Sequence, residues 1–155
     1  MNRDNVQAEF ISRFGRESSK ESVSDEEIHE YSNELQTTLP ESYVSFTKKY
    51  GSVVCDGMLE SIVKLEIHLW DVMKIESPKE AKESTKVFWS GGMSTDYVAF
   101  GSDSMGNAFC FEKTKEKKDD SAVYLFDHDF DEMEKLTDGF DLWLSKYLEL
   151  IPNKT

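Results

Sequence analysis

Two cysteines, three histidines and no apolar run of membrane-spanning length bound what this 155-residue chain does. Cys55 and Cys110 lie far apart in apolar settings, without a CxxC pattern or a nearby histidine. That excludes a small disulfide-stapled scaffold and a cysteine-based zinc site. A single bridge fits the count, but buried free thiols suit the apolar settings better. His29, His68 and His128 form no HxxxH or HExxH pair. Each lacks the orienting partner and nucleophile that histidine catalysis needs. No stretch approaches 18 apolar residues, and the N-terminal residues are polar and charged, so neither a signal peptide nor a membrane span is expected and the default compartment is the cytoplasm.

Basic charge is also scarce: 18 Lys and Arg stand against 31 Asp and Glu, for a net charge of −13. Such a field repels nucleic acid and anionic membranes and attracts basic partners; it also serves solubility. The run Lys113, Lys115, Lys117, Lys118 is balanced by Glu112, Glu116, Asp119 and Asp120 and is not a nucleic-acid patch. The glycines Gly91, Gly92, Gly101 and Gly106 come without a GK[ST] triplet and a following helix, so they read as turn residues rather than a phosphate loop.

What is present suffices for one core. With 38% hydrophobic residues, among them 10 Phe, 6 Tyr and 3 Trp, a chain of this length buries roughly 68–70% of its unfolded surface. A single domain over residues 1–155 is expected, with no repeat or linker. Val6, Phe10, Ile11 and Phe14 recur at helical spacing and stop at Gly15. Residues 16–23 are polar and read as a loop. Ser24 to Glu27 is a capping-box sequence, followed by the stripe Ile28, Tyr31, Leu35. Pro40, at the first position of the next helix, precedes Tyr43, Phe46 and Tyr50, with Gly51 as the left-handed cap.

The period then changes. Residues 64–69 alternate polar and apolar, which predicts a strand. Ser77-Pro78 opens a short helix with a thin apolar stripe, and residues 87–89 read as extended. Residues 97–100 and 107–111 predict two strands joined by a Gly/Ser/Asp turn. Residues 112–120 read as a solvated loop and 122–126 as an apolar strand. Phe140, Trp143, Leu144, Tyr147, Leu148 and Ile151 form the clearest helix, with Asp138 as its cap and Pro152 after its end. Helices, then adjacent strands, then a helix predict an α+β fold with a mostly antiparallel sheet.

Four segments carry a family resemblance. Leu39-Pro40-Glu41-Ser42-Tyr43-Val44-Ser45-Phe46-Thr47-Lys48-Lys49-Tyr50-Gly51 is similar to the LPxxYxxFxxxYG helix of the SMI1/KNR4 (SUKH) superfamily. Residues 100–111 resemble its hairpin, residues 122–129 its VYxxDHD strand, and Gly139-Phe140-Asp141-Leu142-Trp143-Leu144 its closing SFxxFL helix, where Gly139 replaces a small polar residue. The match runs in order over about residues 24–150. The resemblance implies an α+β domain without enzymatic activity and without a cofactor. Many bacterial members are immunity proteins that neutralise a cognate toxin domain, often a nuclease, of a polymorphic toxin system. Fungal namesakes regulate cell-wall synthesis, so the alternative is an intracellular regulatory or scaffold module.

The expected partner is therefore a toxin with a basic active-site surface, and neither nucleic acid nor membrane. The candidate contact residues are Asp56, Trp89, Asp96, Tyr97, Asp103, Asp127, Asp129 and Asp131, in predicted loops or strand ends, where binding residues collect. Asp127-His128-Asp129 with Asp131, Glu132 and Glu134 admits three readings: a charged loop between the last strand and the last helix, a partner contact, or an oxygen-ligand metal site. Glu132 stands where an EF-hand loop needs glycine. Trp143 lies on the apolar stripe of the last helix and reads as core. Trp89, beside Ser90-Gly91-Gly92, reads either as a core residue or as an interface anchor.

Overall fold

The structure is a computed structural model that describes residues 2–19 and 21–150. Helix α1 (Arg3–Phe14) starts where the Asn2 side chain accepts from the Asn5 amide at 2.9 Å. Strand β1 (Gly15–Ser18) follows at once. In α2 (Asp25–Leu35) the Ser24 hydroxyl accepts from the Glu27 amide at 3.1 Å, as the capping sequence predicts. The reciprocal arm is used elsewhere: the Glu27 carboxylate accepts from the Lys79 amide at 3.0 Å, at the start of another helix. Helix α3 (Glu41–Tyr50) has Pro40 as its cap, one residue before the predicted place. Gly51 ends it at φ +66°, where a Cβ would stand 2.8 Å from the Ser19 carbonyl oxygen.

Next come β2 (Val53–Cys55), α4 (Leu59–Leu65), β3 (Lys74–Ile75), α5 (Pro78–Ser90), β4 (Tyr97–Ser102), β5 (Ala108–Glu112), β6 (Val123–Asp127), β7 (Glu132–Thr137) and α6 (Phe140–Leu148). The seven strands form one antiparallel sheet in the order β1-β2-β3-β4-β5-β6-β7.

The fold class is the α+β arrangement the sequence predicts, and the chain departs from the expected elements in several places, the short strands β2 and β3 among them. Residues 64–69 are not a strand: α4 ends in them, Glu66 takes φ +52°, and Leu65 and Ile67 stay 52% and 42% exposed. Their alternation has no buried face to specify a register. Residues 87–89 are helical, because α5 runs for 13 residues. Its inward stripe is made of Ala81, Thr85 and Phe88, whose small members hid it. Residues 16–18 pair with β2 as an edge strand with every side chain exposed. The acidic stretch after β6 holds β7, also an edge strand. Charged side chains are a common edge device and mask a period of two. Finally, Asp138 pairs with Lys135 instead of capping α6. The cap carboxylate is Asp120, which accepts from the Phe140 amide at 2.7 Å and the Ser42 hydroxyl at 2.7 Å. Ile151 and Pro152 lie outside the described residues.

The sheet separates two apolar layers. On one face Val98, Phe100, Phe109, Phe111, Val123 and Leu125 meet Phe10, Phe14, Tyr43, Phe46, Phe140, Trp143 and Tyr147 from α1, α3 and α6. The Phe100 and Phe111 rings stack at 4.3 Å, and Trp143 meets Phe100 edge-on at 5.4 Å. Trp143 is fully buried, as its stripe predicts. On the other face Ala99, Ala108, Cys110 and Phe126 lie under Met93 and Phe88. Those small side chains let α5 approach β4, and α2 packs on α5.

Candidate binding surface

An antiparallel meander sorts its connections by parity. The β1–β2, β3–β4 and β5–β6 connections leave from one end of the sheet, and β2–β3, β4–β5 and β6–β7 from the other. Register fixes which residues share the second end. The Cys55 amide donates to the Met73 carbonyl and the Met73 amide to the Ser102 carbonyl, while Ala108 pairs with Phe126 and Asp127 with Glu132. Residues 56–73, 103–107 and 128–131 therefore border one strip. Three contacts tie it together. The His128 Nε2–H donates to the Met105 carbonyl at 2.8 Å, the Ser104 hydroxyl donates to Asp71 at 2.9 Å, and His68 lies 3.6 Å from Glu134 on β7.

Five of the eight predicted contact residues fall at this end, and not all are accessible. Asp56 is exposed, 4.0 Å from Arg16. Asp129 and Asp131 are exposed in the β6–β7 turn, and Asp127 is half-buried and accepts from the Asp129 amide at 3.0 Å. Asp131 takes φ +51°, with its carboxylate against Gly92. Asp103 is only 2% exposed. Both its oxygens are committed to the β4–β5 turn, to the Met105 and Asn107 amides and the Asn107 side chain at 2.8–2.9 Å. It shapes the turn and offers no carboxylate to a partner.

The other three sit at the opposite end of β4. Trp89 is half-buried on α5 rather than on a loop, its indole N–H donating to the Tyr97 carbonyl at 2.8 Å and Lys113 Nζ lying 4.5 Å over its ring. It therefore packs inward. Tyr97 is half-buried edge-on to Tyr124 at 5.1 Å, and Asp96 is exposed beside them.

Sequence reasoning missed the apolar part of the strip. Met105 is 67% exposed and Phe130 73%, each at the tip of a turn. The signal was there: a large apolar side chain inside a turn otherwise built of Gly, Ser, Asp and His is not there for packing. Asp71 was missed too, because its place depends on the β2–β3 connection, where a strand was expected.

The electrostatics of the strip follow from its composition. Its connections carry Asp56, Glu60, Glu66, Asp71, Asp103, Asp129 and Asp131 against Lys64 alone. Asp71, Asp127, Asp131 and Glu132 have no cationic partner among the described residues; Asp129 has only His128, at 3.7 Å. Elsewhere carboxylates are neutralised locally. Glu34 takes both Lys82 and Lys86, at 2.6 and 2.8 Å, which holds its carboxyl down at about 2. Asp25 pairs with Lys48 and Asp4 with Lys49.

Among the described residues no group of three or more His, Cys, Asp and Glu is arranged to hold a metal ion. Both cysteines are free and buried; burial pushes the Cys55 thiol up to about 12 and Cys110 also upward, away from nucleophilic use. A cavity of about 530 Å³ opens at the far end of the sheet, between the α2 start and α5, lined by Glu21, Glu27, Glu76, Glu80, Glu83 and several serines. Burial raises the Glu76 carboxyl above its usual range, partly offset by the Ser84 hydroxyl donating at 2.7 Å. No histidine, cysteine or arginine lines that cavity. No helix among the described residues is long and apolar enough to cross a membrane.

These features define an α+β domain in which helices cover both faces of a seven-stranded antiparallel meander, with one sheet end left acidic and apolar. The chain belongs to the SMI1 / KNR4 family (SUKH-1), whose model matches residues 22–146, from just ahead of α2 into α6. Helix α1 and strand β1 precede the match. Among curated proteins, none matches.

Proposed function

We propose that the chain is a non-catalytic protein-binding domain of the immunity type. It neutralises a cognate toxin domain, a nuclease of a polymorphic toxin system, in the cytoplasm. The observation that carries this reading is the acidic strip, in which Asp71, Asp127, Asp131 and Glu132 have no cationic partner among the described residues, set around the exposed tips Met105 and Phe130. A nuclease holds phosphates with Lys and Arg, and carboxylates presented on a rigid sheet end pair with the same groups. Long-range attraction then speeds association and makes it salt-sensitive. Desolvated apolar anchors slow release. The family supports a binding domain rather than an enzyme.

The test is co-expression with the product of the adjacent gene, scored by growth rescue and co-purification. Wild-type protein is expected to rescue and co-purify; the triple change Asp127→Lys, Asp129→Lys, Asp131→Lys is expected to lose both. Unchanged rescue by the triple variant would remove the acidic strip from the mechanism. Multiple-turnover hydrolysis or transfer by the purified chain would remove the non-catalytic reading altogether.

A further inference from the structure

Residues 59–73 hold five of the nine exposed large apolar side chains among the described residues. Leu59 is 49% exposed, Val63 68%, Leu65 52%, Ile67 42% and Met73 50%. Only Met58, Ile62 and Val72 of this connection are buried in the core, so α4 is anchored by one side and turns its other side outward. Leu59 and Val63 are one helical turn apart and share that outward side. Isolated surface hydrophobics are ordinary, but a contiguous set marks an interaction site. The segment also runs along the acidic strip. It leaves β2 at Asp56, reaches β7 where His68 meets Glu134, and returns beside the β4–β5 turn where Asp71 meets Ser104. Through the Asp71–Ser104 bond it adjoins the turn that carries exposed Met105.

We propose that this connection is the apolar centre of the partner interface, and that its occupant is a polypeptide surface with an apolar patch rimmed by Lys and Arg. The inference rests on the immunity reading and deepens it. Charge selects the occupant: Asp56, Glu60, Glu66 and Asp71 flank the apolar side chains, with Lys64 the one base among them. A second copy would set these carboxylates against their own images in a chain of net charge −13. An anionic bilayer is repelled by the same groups. A basic rim around an apolar patch satisfies both features. The two turn tips alone are small against the about 800 Å² per partner of a standard interface, and the α4 segment supplies the missing area.

The two parts of such a surface are separable by kinetics. Apolar side chains at an interface centre govern dissociation, and unshielded charges govern association. The experiment measures binding of the full chain to the catalytically inactivated domain encoded by the adjacent gene, by surface plasmon resonance at low and at physiological salt. The double change Val63→Ser, Ile67→Ser is expected to raise the dissociation rate about 10- to 100-fold and leave the association rate and its salt dependence within about twofold. The near-isosteric Val63→Thr is expected to move the dissociation rate the same way, by less, with an unfolding midpoint equal to wild type.

Failures are distinguishable. If wild type does not bind this probe at either salt, the immunity reading falls and the inference with it. If wild type binds and all variants dissociate at its rate, the inference falls and the immunity reading stands. If light scattering shows a wild-type dimer that the double variant abolishes, the occupant is a second copy and the proposal is wrong.

Discussion

Replacing Thr85 by valine tests how β4 is held where the sheet runs out of strand. Strand β3 has two residues, which pair with Ser102 and Gly101. The β4 backbone at Ala99 therefore lies beyond the β3 ladder on that side. Side chains complete it. Thr85 Oγ1 accepts from the Ala99 amide at 2.9 Å and shares its own hydrogen between the Ala81 and Ala99 carbonyls at 2.8 and 3.2 Å. The Tyr31 hydroxyl donates to the Ala99 carbonyl at 3.1 Å. Thr85, Tyr31 and Ala99 are all fully buried. Valine keeps the shape and deletes the acceptor, so the Ala99 N–H loses its partner without access to water. An orphaned buried donor costs about 1–3 kcal/mol, and a net hydrogen bond about 1 kcal/mol. The Ala99 carbonyl keeps Tyr31, so about 2–3 kcal/mol is expected for Thr85→Val. For a domain of this size that is a fall of about 4–12 °C in midpoint. Thr85→Ser keeps the oxygen and loses one buried methyl, about 0.8 kcal/mol. Urea unfolding measures all three proteins, and amide exchange reports Ala99 directly. The reasoning is refuted if Thr85→Val lies within about 0.5 kcal/mol of wild type, or if serine is as damaging as valine.

Three further outcomes follow from the same structure. Glu76 is a buried carboxylate whose native pKa is raised mainly by desolvation, so the native state retains a proton that the unfolded chain has released. Stability therefore falls as pH rises from the ordinary value of 4.5 through the native one, and stays lower above it. Glu76→Gln keeps an acceptor for the Ser84 hydroxyl and is expected to be more stable than wild type at pH 7.5, with the gain gone below about pH 4, in chemical denaturation at both pH values. Asp120→Ala removes the cap of α6 and the partner of Ser42, an expected loss of about 1–2 kcal/mol in urea unfolding; an unchanged midpoint would show that the Gly139 entry to the helix needs no carboxylate. The triple reversal of Asp127, Asp129 and Asp131 is expected to lower the thermal midpoint by only a few degrees, because among the described residues these carboxylates have no lysine or arginine partner, and what is lost is the Asp127 bond to the Asp129 amide and the ease with which Asp131 takes φ +51°; a midpoint lower by more than 5 °C would mean that they are structural.

The helices with strong stripes were legible in the sequence, and so were the central strands. Tyr31 and Leu35, Tyr43 and Phe46, and Trp143 and Tyr147 all sit in the core on the predicted faces. What was not legible lies where the local pattern is decided by neighbours. β1 and β7 border the sheet and bury little, β3 is two residues long, and α5 presents Ala81 and Thr85 because the β4 surface below it is backbone and Ala99. The acidic turn of Asp127, Asp129 and Asp131 could be read from composition. That Asp56 and Asp71 share its end of the molecule could not, because parity along a meander needs every strand counted, and β1, β2, β3 and β7 carry no strand pattern that the sequence makes visible. Asp103 shows the converse limit: its type and its turn suggest a surface carboxylate, while three local hydrogen bonds turn it inward.

A net charge of −13 by itself speaks to solubility, and its distribution says more. Mobile ions screen exposed charges beyond about 8 Å at physiological salt, so a partner senses the local balance at the face it approaches rather than the sum over the chain. The lysines are concentrated in the connections at one end of the sheet: Lys48 and Lys49 in α3, Lys79, Lys82 and Lys86 in α5, and Lys113, Lys115, Lys117 and Lys118 after β5. There Lys48, Lys49, Lys82 and Lys86 neutralise Asp25, Asp4 and Glu34 and tie the helices to one another. The opposite connections have Lys64 and no other lysine or arginine. The fold thus gathers its lysines at one end, four of them in ion pairs that join helices, and leaves the other end with carboxylates and exposed apolar side chains together. Carboxylates for solubility alone would not require Met105, Phe130, Val63 and Leu65 beside them. Apolar surface for homotypic assembly would not be ringed with like charge. The combination fits a basic protein surface, which restores the missing cations and covers the apolar side chains in one event.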